Sequence, residues 1–188
     1  TTKHTITTKY REVGGAAGIF SDIVKFGDWL AYYYDDGNLS GLPDSAKVIT
    51  PTSDGGLKDS SHTSGRYFTM KEIPAGDYVI RAEGQDTQVY IDGKAVFKKV
   101  GDSTNQELAV VKHISNQNGK NVHRIEVKSH NAGGADVKIQ KYEDATAITP
   151  SDGWVGEAYN NPNLSGAPIA ILGGKGTFNP IKDLDKDW

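Results

Sequence analysis

Short segments in which apolar and polar residues alternate, separated by turn residues, restrict most of this chain to antiparallel β structure. The clearest lies between Gln88 and Phe97, where Asp92-Gly93 stands between two apolar runs and gives the strongest short-range signal for a tight hairpin. A strand is also predicted after Gly76-Asp77, because alternate residues there are apolar. Further strands are predicted at Leu108 to Ile114, Val122 to Val127 and Ala135 to Ile139. Many short strands with frequent turns favour an all-β antiparallel sandwich over a parallel α/β sheet.

The segment 1–28 has a different character. Its first ten residues, TTKHTITTKY, are rich in threonine and poor in packing side chains, which predicts a linker or an edge segment. From Ala16 to Val24 the apolar residues recur at three- and four-residue spacing. This spacing predicts one short amphipathic helix near the N-terminus.

Composition excludes several classes of function. In 188 residues, 21 Lys and Arg residues stand against 24 Asp and Glu residues, a formal charge of −3. The sequence therefore predicts neither nucleic-acid binding nor a polybasic membrane anchor. Cysteine is absent, which excludes disulfides, thiolate zinc sites and a cysteine nucleophile. No apolar run approaches the roughly 20 residues of a membrane span, so membrane insertion is not expected.

An internal repeat relates two segments at a constant offset. Residues 29–43 read WLAYYYDDGNLSGLP and residues 154–168 read WVGEAYNNPNLSGAP. Two interpretations are equally open. The segment 145–188 is either a partial second copy of a tandem module, ending at Trp188, or it supplies strands equivalent to the first copy within one compact domain.

Four sequence blocks follow one another in a fixed order between Trp29 and Tyr142. They are Tyr32-Tyr33-Tyr34 with Asn38-Leu39-Ser40-Gly41, Ile73-Pro74-Ala75-Gly76-Asp77-Tyr78, Val89-Tyr90-Ile91-Asp92-Gly93-Lys94, and Val122-His123-Arg124-Ile125-Glu126-Val127. Together they resemble the β-sandwich module named after the N-terminal part of anthrax protective antigen, which also occurs in bacterial glycosidases, toxins and yeast adhesins. The resemblance implies a β-sandwich over residues 29–144. It implies sugar binding, a pro-domain role or a linking role, because the family hosts all three.

The resemblance also implies a binding site. In the family's lectin members, two adjacent aspartates before the strand of the Tyr-Ile-Asp-Gly block coordinate a calcium ion that holds sugar hydroxyls. Here that place reads Gln85-Asp86, so a neutral amide replaces one carboxylate, which lowers calcium affinity. The ligand-binding residues implied are Gln85, Asp86 and Tyr90, with Asp86 as the candidate calcium ligand. The alternative, which the usual role of Asx residues favours, is that Gln85-Asp86 only forms a turn.

The C-terminal segment carries a second resemblance. Residues 159–184 resemble half of a βγ-crystallin Greek key, which implies a calcium-binding protein as an alternative function. Asp183, Asp185 and Asp187 have the alternate spacing of a calcium loop and are candidate metal ligands, but Trp188 stands where a glycine should follow. A carboxylate-rich segment without metal is the plainer interpretation.

Two other polar clusters are interpreted structurally. Asp35-Asp36-Gly37-Asn38 groups several oxygens, but its counterpart at residues 160–163 lacks the charges, so a turn explains both copies. His123 shares strand parity with Ile125 and Val127, which predicts a hydrogen-bonded histidine in the core or at a sheet edge rather than a zinc ligand.

No arrangement of catalytic residues is recognisable, so an enzyme is not expected. The leading hypothesis is a non-catalytic, extracellular module that recognises carbohydrate, a cell-wall or cell-surface glycan, through apical loops. It places the protein outside the cell, secreted or at a bacterial surface. The alternative is a structural, spacer or pro-domain of a larger secreted protein or toxin. The sequence gives no prediction of the oligomeric state.

Overall fold

The computed structural model describes residues 24–50, 61–83, 86–99, 105–130, 136–144 and 154–174, and the single positions 5, 7, 9 and 57. These residues form eleven strands and one short 3-10 turn, Tyr142–Asp144. The strands are β1 (Trp29–Tyr34), β2 (Ser45–Ile49), β3 (Ser64–Glu72), β4 (Gly76–Glu83), β5 (Thr87–Ile91), β6 (Lys94–Lys99), β7 (Asn105–Ile114), β8 (Val122–Ser129), β9 (Asp136–Lys141), β10 (Trp154–Ala158) and β11 (Ala170–Gly174).

The strands make two antiparallel sheets. One sheet has six strands in the order β2-β1-β3-β8-β5-β6, and the other has five in the order β10-β11-β7-β4-β9. The prediction of an all-β antiparallel sandwich is therefore confirmed. The predicted helix at residues 16–24 lies, apart from Val24, outside the described residues. In the described ranges, no helix has the length and apolar character needed to cross a membrane.

The main core lies between the two sheets. The six-stranded sheet contributes Tyr67 and Val127, and the five-stranded sheet contributes Ile80 and Val110. Each such side chain stabilises the fold by roughly 1.5–3 kcal/mol when it is fully buried. Strand alternation points these side chains inward and their chain neighbours outward. The outward side of the five-stranded sheet carries a second cluster of buried apolar residues, Val79, Ala109, Val111 and Ile171. Both sides of this sheet therefore bury apolar side chains.

The predicted hairpin at Asp92-Gly93 is confirmed. Both residues have positive φ, +51° and +79°, as a two-residue turn between right-twisted strands requires. The Asp92 carboxylate also bonds beyond the turn: its Oδ2 lies 2.6 Å from His123 Nδ1, and its Oδ1 accepts a hydrogen bond of 2.9 Å from the backbone N–H of Arg124. His123 is 1% exposed, so the prediction of a hydrogen-bonded histidine in the core is confirmed.

The internal repeat corresponds to two hairpins with the same loop. In the β1–β2 loop, Asp36 Oδ1 accepts hydrogen bonds from the backbone N–H groups of Asn38 and Ser40, at 2.6 and 3.3 Å. In the β10–β11 loop, Asn161 Oδ1 accepts the two equivalent bonds, at 3.2 and 3.0 Å. In each loop a stretch Asn-Leu-Ser-Gly follows, beginning at Asn38 in the first loop and at Asn163 in the second. The leucine and the glycine of both stretches have positive φ. A turn therefore accounts for both copies of the Asx cluster, as the sequence predicts.

The two hairpins join different sheets in different ways. In the six-stranded sheet the first strand of the hairpin, β1, pairs with β3 and leaves β2 at the edge. In the five-stranded sheet it is the second strand, β11, that pairs with β7, so β10 forms the edge. The second repeat thus supplies two strands to the same sandwich. The domain boundaries at residues 28 and 144 stay a prediction.

Acidification is expected to weaken the β1–β2 loop but not the β10–β11 loop. The backbone N–H of Asn38, hydrogen-bonded to the carboxylate, holds the pKa of Asp36 below its ordinary value. The stabilisation is therefore complete at neutral pH and is lost as the pH falls through the lowered pKa of Asp36. Asn161 does not titrate in this range. In an NMR titration, the amide signals of Asn38 and Ser40 should shift together in acid, and Asp36→Asn should abolish that shift. Equal shifts of the backbone amide signals in the two loops on acidification would contradict the assignment of the effect to the Asp36 carboxylate.

Candidate functional site

The candidate site is the outward surface of the six-stranded sheet, which we call the outer face. Because Tyr67 and Val127 point into the core, the alternate residues on their strands point outward. Strand register arranges them in two rows. The first row contains Leu30, Phe68, Glu126 and Tyr90. The second row contains Tyr32, Arg66, Lys128 and Gln88.

A groove lies at one side of the outer face. The segment 24–28 is attached to β3 by two hydrogen bonds: the Gly27 N–H donates to Met70 O at 3.2 Å, and Thr69 Oγ1 donates to Asp28 O at 2.8 Å. The groove between this segment and the sheet has a volume of about 470 Å³. Its lining includes the side chains of Lys25, Phe26, Leu30, Tyr32, Phe68, Met70 and Arg124. A mostly apolar and aromatic cleft of this size with a few polar groups is typical of a small-molecule site.

Aromatic rings and cations alternate beside the groove. Tyr32 and Phe68 meet edge to face with ring centroids 5.9 Å apart. The guanidinium carbons of Arg66 and Arg124 each lie 4.8 Å from the centroid of the Phe68 ring. Such contacts are attractive because the ring faces are electron-rich. They hold the guanidinium groups over the sheet instead of leaving them extended in solvent.

One carboxylate lies among these cations. The Glu126 side chain is 9% exposed, and its Oε1 accepts a hydrogen bond of 2.7 Å from Arg66 Nε. Arg124 and Lys128 are also paired with Glu126, but each of these distances is 3.7 Å. Only Arg66 is therefore bound to Glu126 at charge-assisted hydrogen-bond distance.

The structure places the sequence-predicted site residues in separate regions. Tyr90 lies on the outer face, where its hydroxyl donates to Gln88 Oε1 at 2.5 Å and Lys128 Nζ lies 4.8 Å from its ring centroid. Asp86 precedes β5 with a φ of +48°, and its carbonyl accepts the His130 N–H at 3.0 Å. Four residues along a strand correspond to roughly 13 Å, so Asp86 and Tyr90 do not form one cluster. Gln85, Asp183, Asp185 and Asp187 lie outside the described residues.

Calcium binding stays a prediction. In the part of the chain that the structure describes, no three His, Asp or Glu side chains are grouped so that they could hold a metal ion. Calcium takes six to eight oxygen ligands, and at the place where the resemblance implies a pair of aspartates the sequence reads Gln85-Asp86.

A second cavity, of about 500 Å³, lies beside the Asp92-Gly93 turn. His113 Nδ1 at its rim lies 2.9 Å from the Asp77 carboxylate, and both side chains are at least half exposed. The other histidine of the cavity, His123, is the one bonded to Asp92. Each of the two histidines thus contacts an aspartate, and of the two pairs it is the buried one, His123 with Asp92, that is expected to stabilise the hairpin end of the sandwich appreciably.

No family model and no curated protein matches the chain. Solved structures with some similarity include β-glucosidase from Kluyveromyces marxianus in complex with glucose, with 14% identity and a TM-score of 0.45 over 64% of this chain. The transport component C2-II of the C2-toxin from Clostridium botulinum has 17% identity and a TM-score of 0.43 over 66% of this chain. The PA14 sugar-binding domain from an RTX adhesin has 13% identity and a TM-score of 0.40 over 66% of this chain and 95% of its own. The chain spans 17% of the length of the β-glucosidase and 26% of that of the toxin component.

Proposed function

We propose that this protein is a non-catalytic carbohydrate-binding module whose binding surface is the outer face. The observation that carries the proposal is the groove in which Phe26 and Tyr32 stand beside the Phe68 ring and the Arg124 guanidinium. Sugars present C–H groups that pack on aromatic rings and hydroxyls that bond to charged and amide side chains. The groove offers both kinds of group side by side: Tyr32, Phe68 and Arg124 on strands, and Phe26 on the turn that precedes β1.

The extent of the outer face indicates the size of the ligand. The row from Leu30 to Tyr90 crosses four neighbouring strands, β1, β3, β8 and β5. At the spacing of neighbouring strands this row is about 14 Å long. It is therefore suited to an oligosaccharide or a segment of a polysaccharide rather than to a single sugar.

The proposed module binds without breaking bonds. Glycoside hydrolysis uses a pair of carboxyl groups on either side of the scissile bond. The carboxylate in the two rows of the outer face, Glu126, is held by Arg66 at 2.7 Å and is mostly buried. In the proposed module this carboxylate serves as the ion-pair partner of Arg66. In this proposal the module acts outside the cell, secreted or at the surface of a bacterium, on cell-wall or cell-surface glycan.

Replacing Phe26 with alanine is expected to weaken carbohydrate binding by about tenfold, the effect of losing one aromatic anchor. Phe26 is suited to the test because its side chain is 58% exposed, so its truncation changes binding more than folding. The measurement is retention on a panel of insoluble polysaccharides and a glycan array, followed by titration of the best ligand.

Leu42→Ala is the matched control. Leu42 is 79% exposed and does not line the groove, so this variant should bind as the wild type does. If no glycan on the panel is retained above an unrelated protein, the proposed function is wrong. If Leu42→Ala weakens binding as much as Phe26→Ala does, the binding surface is wrong.

A further inference from the structure

We infer that the outer face selects acidic carbohydrate, a chain of sugars bearing carboxylates, and that Arg124 is the residue that reads the carboxylate. The inference rests on the proposed function and specifies its ligand class. Three observations carry it: the charge of the face, the hydrogen bonds of its two arginines, and the packing that fixes Arg124.

The outer face is positive although the whole chain is negative. Arg66 lies directly opposite Lys128, and Lys98 pairs with Gln88 beside them. Like charges placed directly opposite one another destabilise a sheet. With Arg124, four cations lie at outward positions of these strands against two carboxylates, Glu126 and the exposed Glu72 at the end of β3, a net charge of +2 in a chain whose formal charge is −3.

The remaining charges near the groove do not cancel this excess. Lys25 and Asp28 both line the groove and offset each other. Asp92 follows β5, but its carboxylate is directed to His123, to Gln117 and to a backbone N–H. The cations of the outer face therefore repel one another, and an anionic ligand would relieve that repulsion.

The two arginines differ in what they are bonded to. Arg66 donates to Glu126 at 2.7 Å, whereas Arg124 is 3.7 Å from the same carboxylate, too far for a hydrogen bond. The contact between Arg124 and Glu126 therefore uses none of the hydrogen-bond donors of Arg124. Its side chain is half exposed and lines the groove, next to the rings on which a sugar would pack.

The packing of Arg124 favours a carboxylate over a diffuse anion. Its guanidinium carbon lies 4.8 Å from the centroid of the Phe68 ring, a contact that restrains the donor fork beside the groove before the ligand arrives. A planar fork matches a carboxylate through two parallel hydrogen bonds. A uronate residue can therefore pack its ring on Phe26 and Tyr32 while its carboxylate binds Arg124.

The test uses one polymer with and without its charge. Oligogalacturonate with free carboxylates is compared with the same oligomer after methyl esterification, by titration calorimetry at low and moderate salt. The free acid should bind at least about tenfold more tightly than the ester, and added salt should weaken the free acid selectively. Arg124→Gln should remove most of that preference, and Arg124→Lys should restore only part of it, since lysine keeps the charge but not the fork.

Lys141→Gln, which makes the same change of charge at an exposed position of the other sheet, is the matched control and should bind normally. Equal binding of acid and ester overturns the inference while the proposed function stands. Failure of every neutral and acidic glycan overturns the proposed function as well. Tighter binding of dextran sulfate or inorganic polyphosphate than of oligogalacturonate shows a general polyanion site and also overturns the inference.

Discussion

Replacing Gly65 with alanine is expected to destabilise the fold by about 3 kcal/mol, the upper end of the usual cost of overpacking. A Cβ atom on Gly65 would lie 2.5 Å from Cζ of the Tyr67 ring and closer still to its hydroxyl oxygen. The Tyr67 ring cannot move away easily, because it is fully buried and meets Tyr33 edge to face at 5.9 Å. The measurement is the free energy of unfolding in denaturant.

Gly156→Ala is the control for this prediction. Gly156 also lies in a strand, but a Cβ atom there would come no closer than 3.5 Å to the Trp154 ring, an ordinary contact. This variant should stay within about 1 kcal/mol of the wild type. Similar stabilities of the two variants would show that the Tyr67 ring does not lie over Gly65.

Replacing Asp92 with alanine is expected to lower the free energy of unfolding by about 3 kcal/mol. The substitution leaves the buried Nδ1 of His123 without its partner, and within the described residues the Nε2 atom of the same ring already has none. The hydrogen bonds from Gln117 and from the backbone of Arg124 are lost as well. Alanine must in addition adopt the positive φ of +51°, which costs roughly 1 kcal/mol.

The chain contains a matched control for the aspartate–histidine pair. Asp77 and His113 form the same contact at 2.9 Å, but their side chains are 50% and 64% exposed. Exposed pairs contribute at most about 1 kcal/mol, so Asp77→Ala should unfold almost as the wild type does. Equal losses from Asp77→Ala and Asp92→Ala would contradict a special role for the buried pair. Asp92→Asn should lie between them, since asparagine tolerates the turn but carries no charge.

The parts of the fold that the sequence predicts are those set by local signals. Strands β4 to β9 follow from alternation and from the Asp92-Gly93 turn, in which neighbouring residues alone decide the geometry. Strand β3 was not predicted, because Tyr67 and Phe68 are consecutive and alternation cannot say which of them points inward. The structure resolves this: Tyr67 is fully buried, and Phe68 lies on the partly covered outer face. Large apolar residues at both the inward and the outward positions of β3 indicate that each of its two faces packs against other side chains.

The candidate site depended on contacts that sequence patterns do not contain. The inward parity of His123 was predicted, and it already implied that Arg124 points outward. The Phe68 ring on which Arg124 packs lies 56 positions earlier in the chain, on a strand whose register with β8 only the fold defines. Tyr90 was singled out through the resemblance and lies on the same face. Asp86, which the resemblance implies as part of the same site, does not lie on this face. It lies at the end of the sandwich, where its carbonyl accepts a hydrogen bond from the His130 N–H.

The most direct test of the account is to map a bound oligosaccharide onto the backbone by NMR. If the outer face is the binding surface, the amide signals of Phe26, Phe68 and Arg124 should shift on titration, while those of Val111 and Ile171 on the five-stranded sheet stay fixed. Shifts confined to the loops that carry Asp36 and Asp86 would place the ligand at the end of the sandwich and contradict the account.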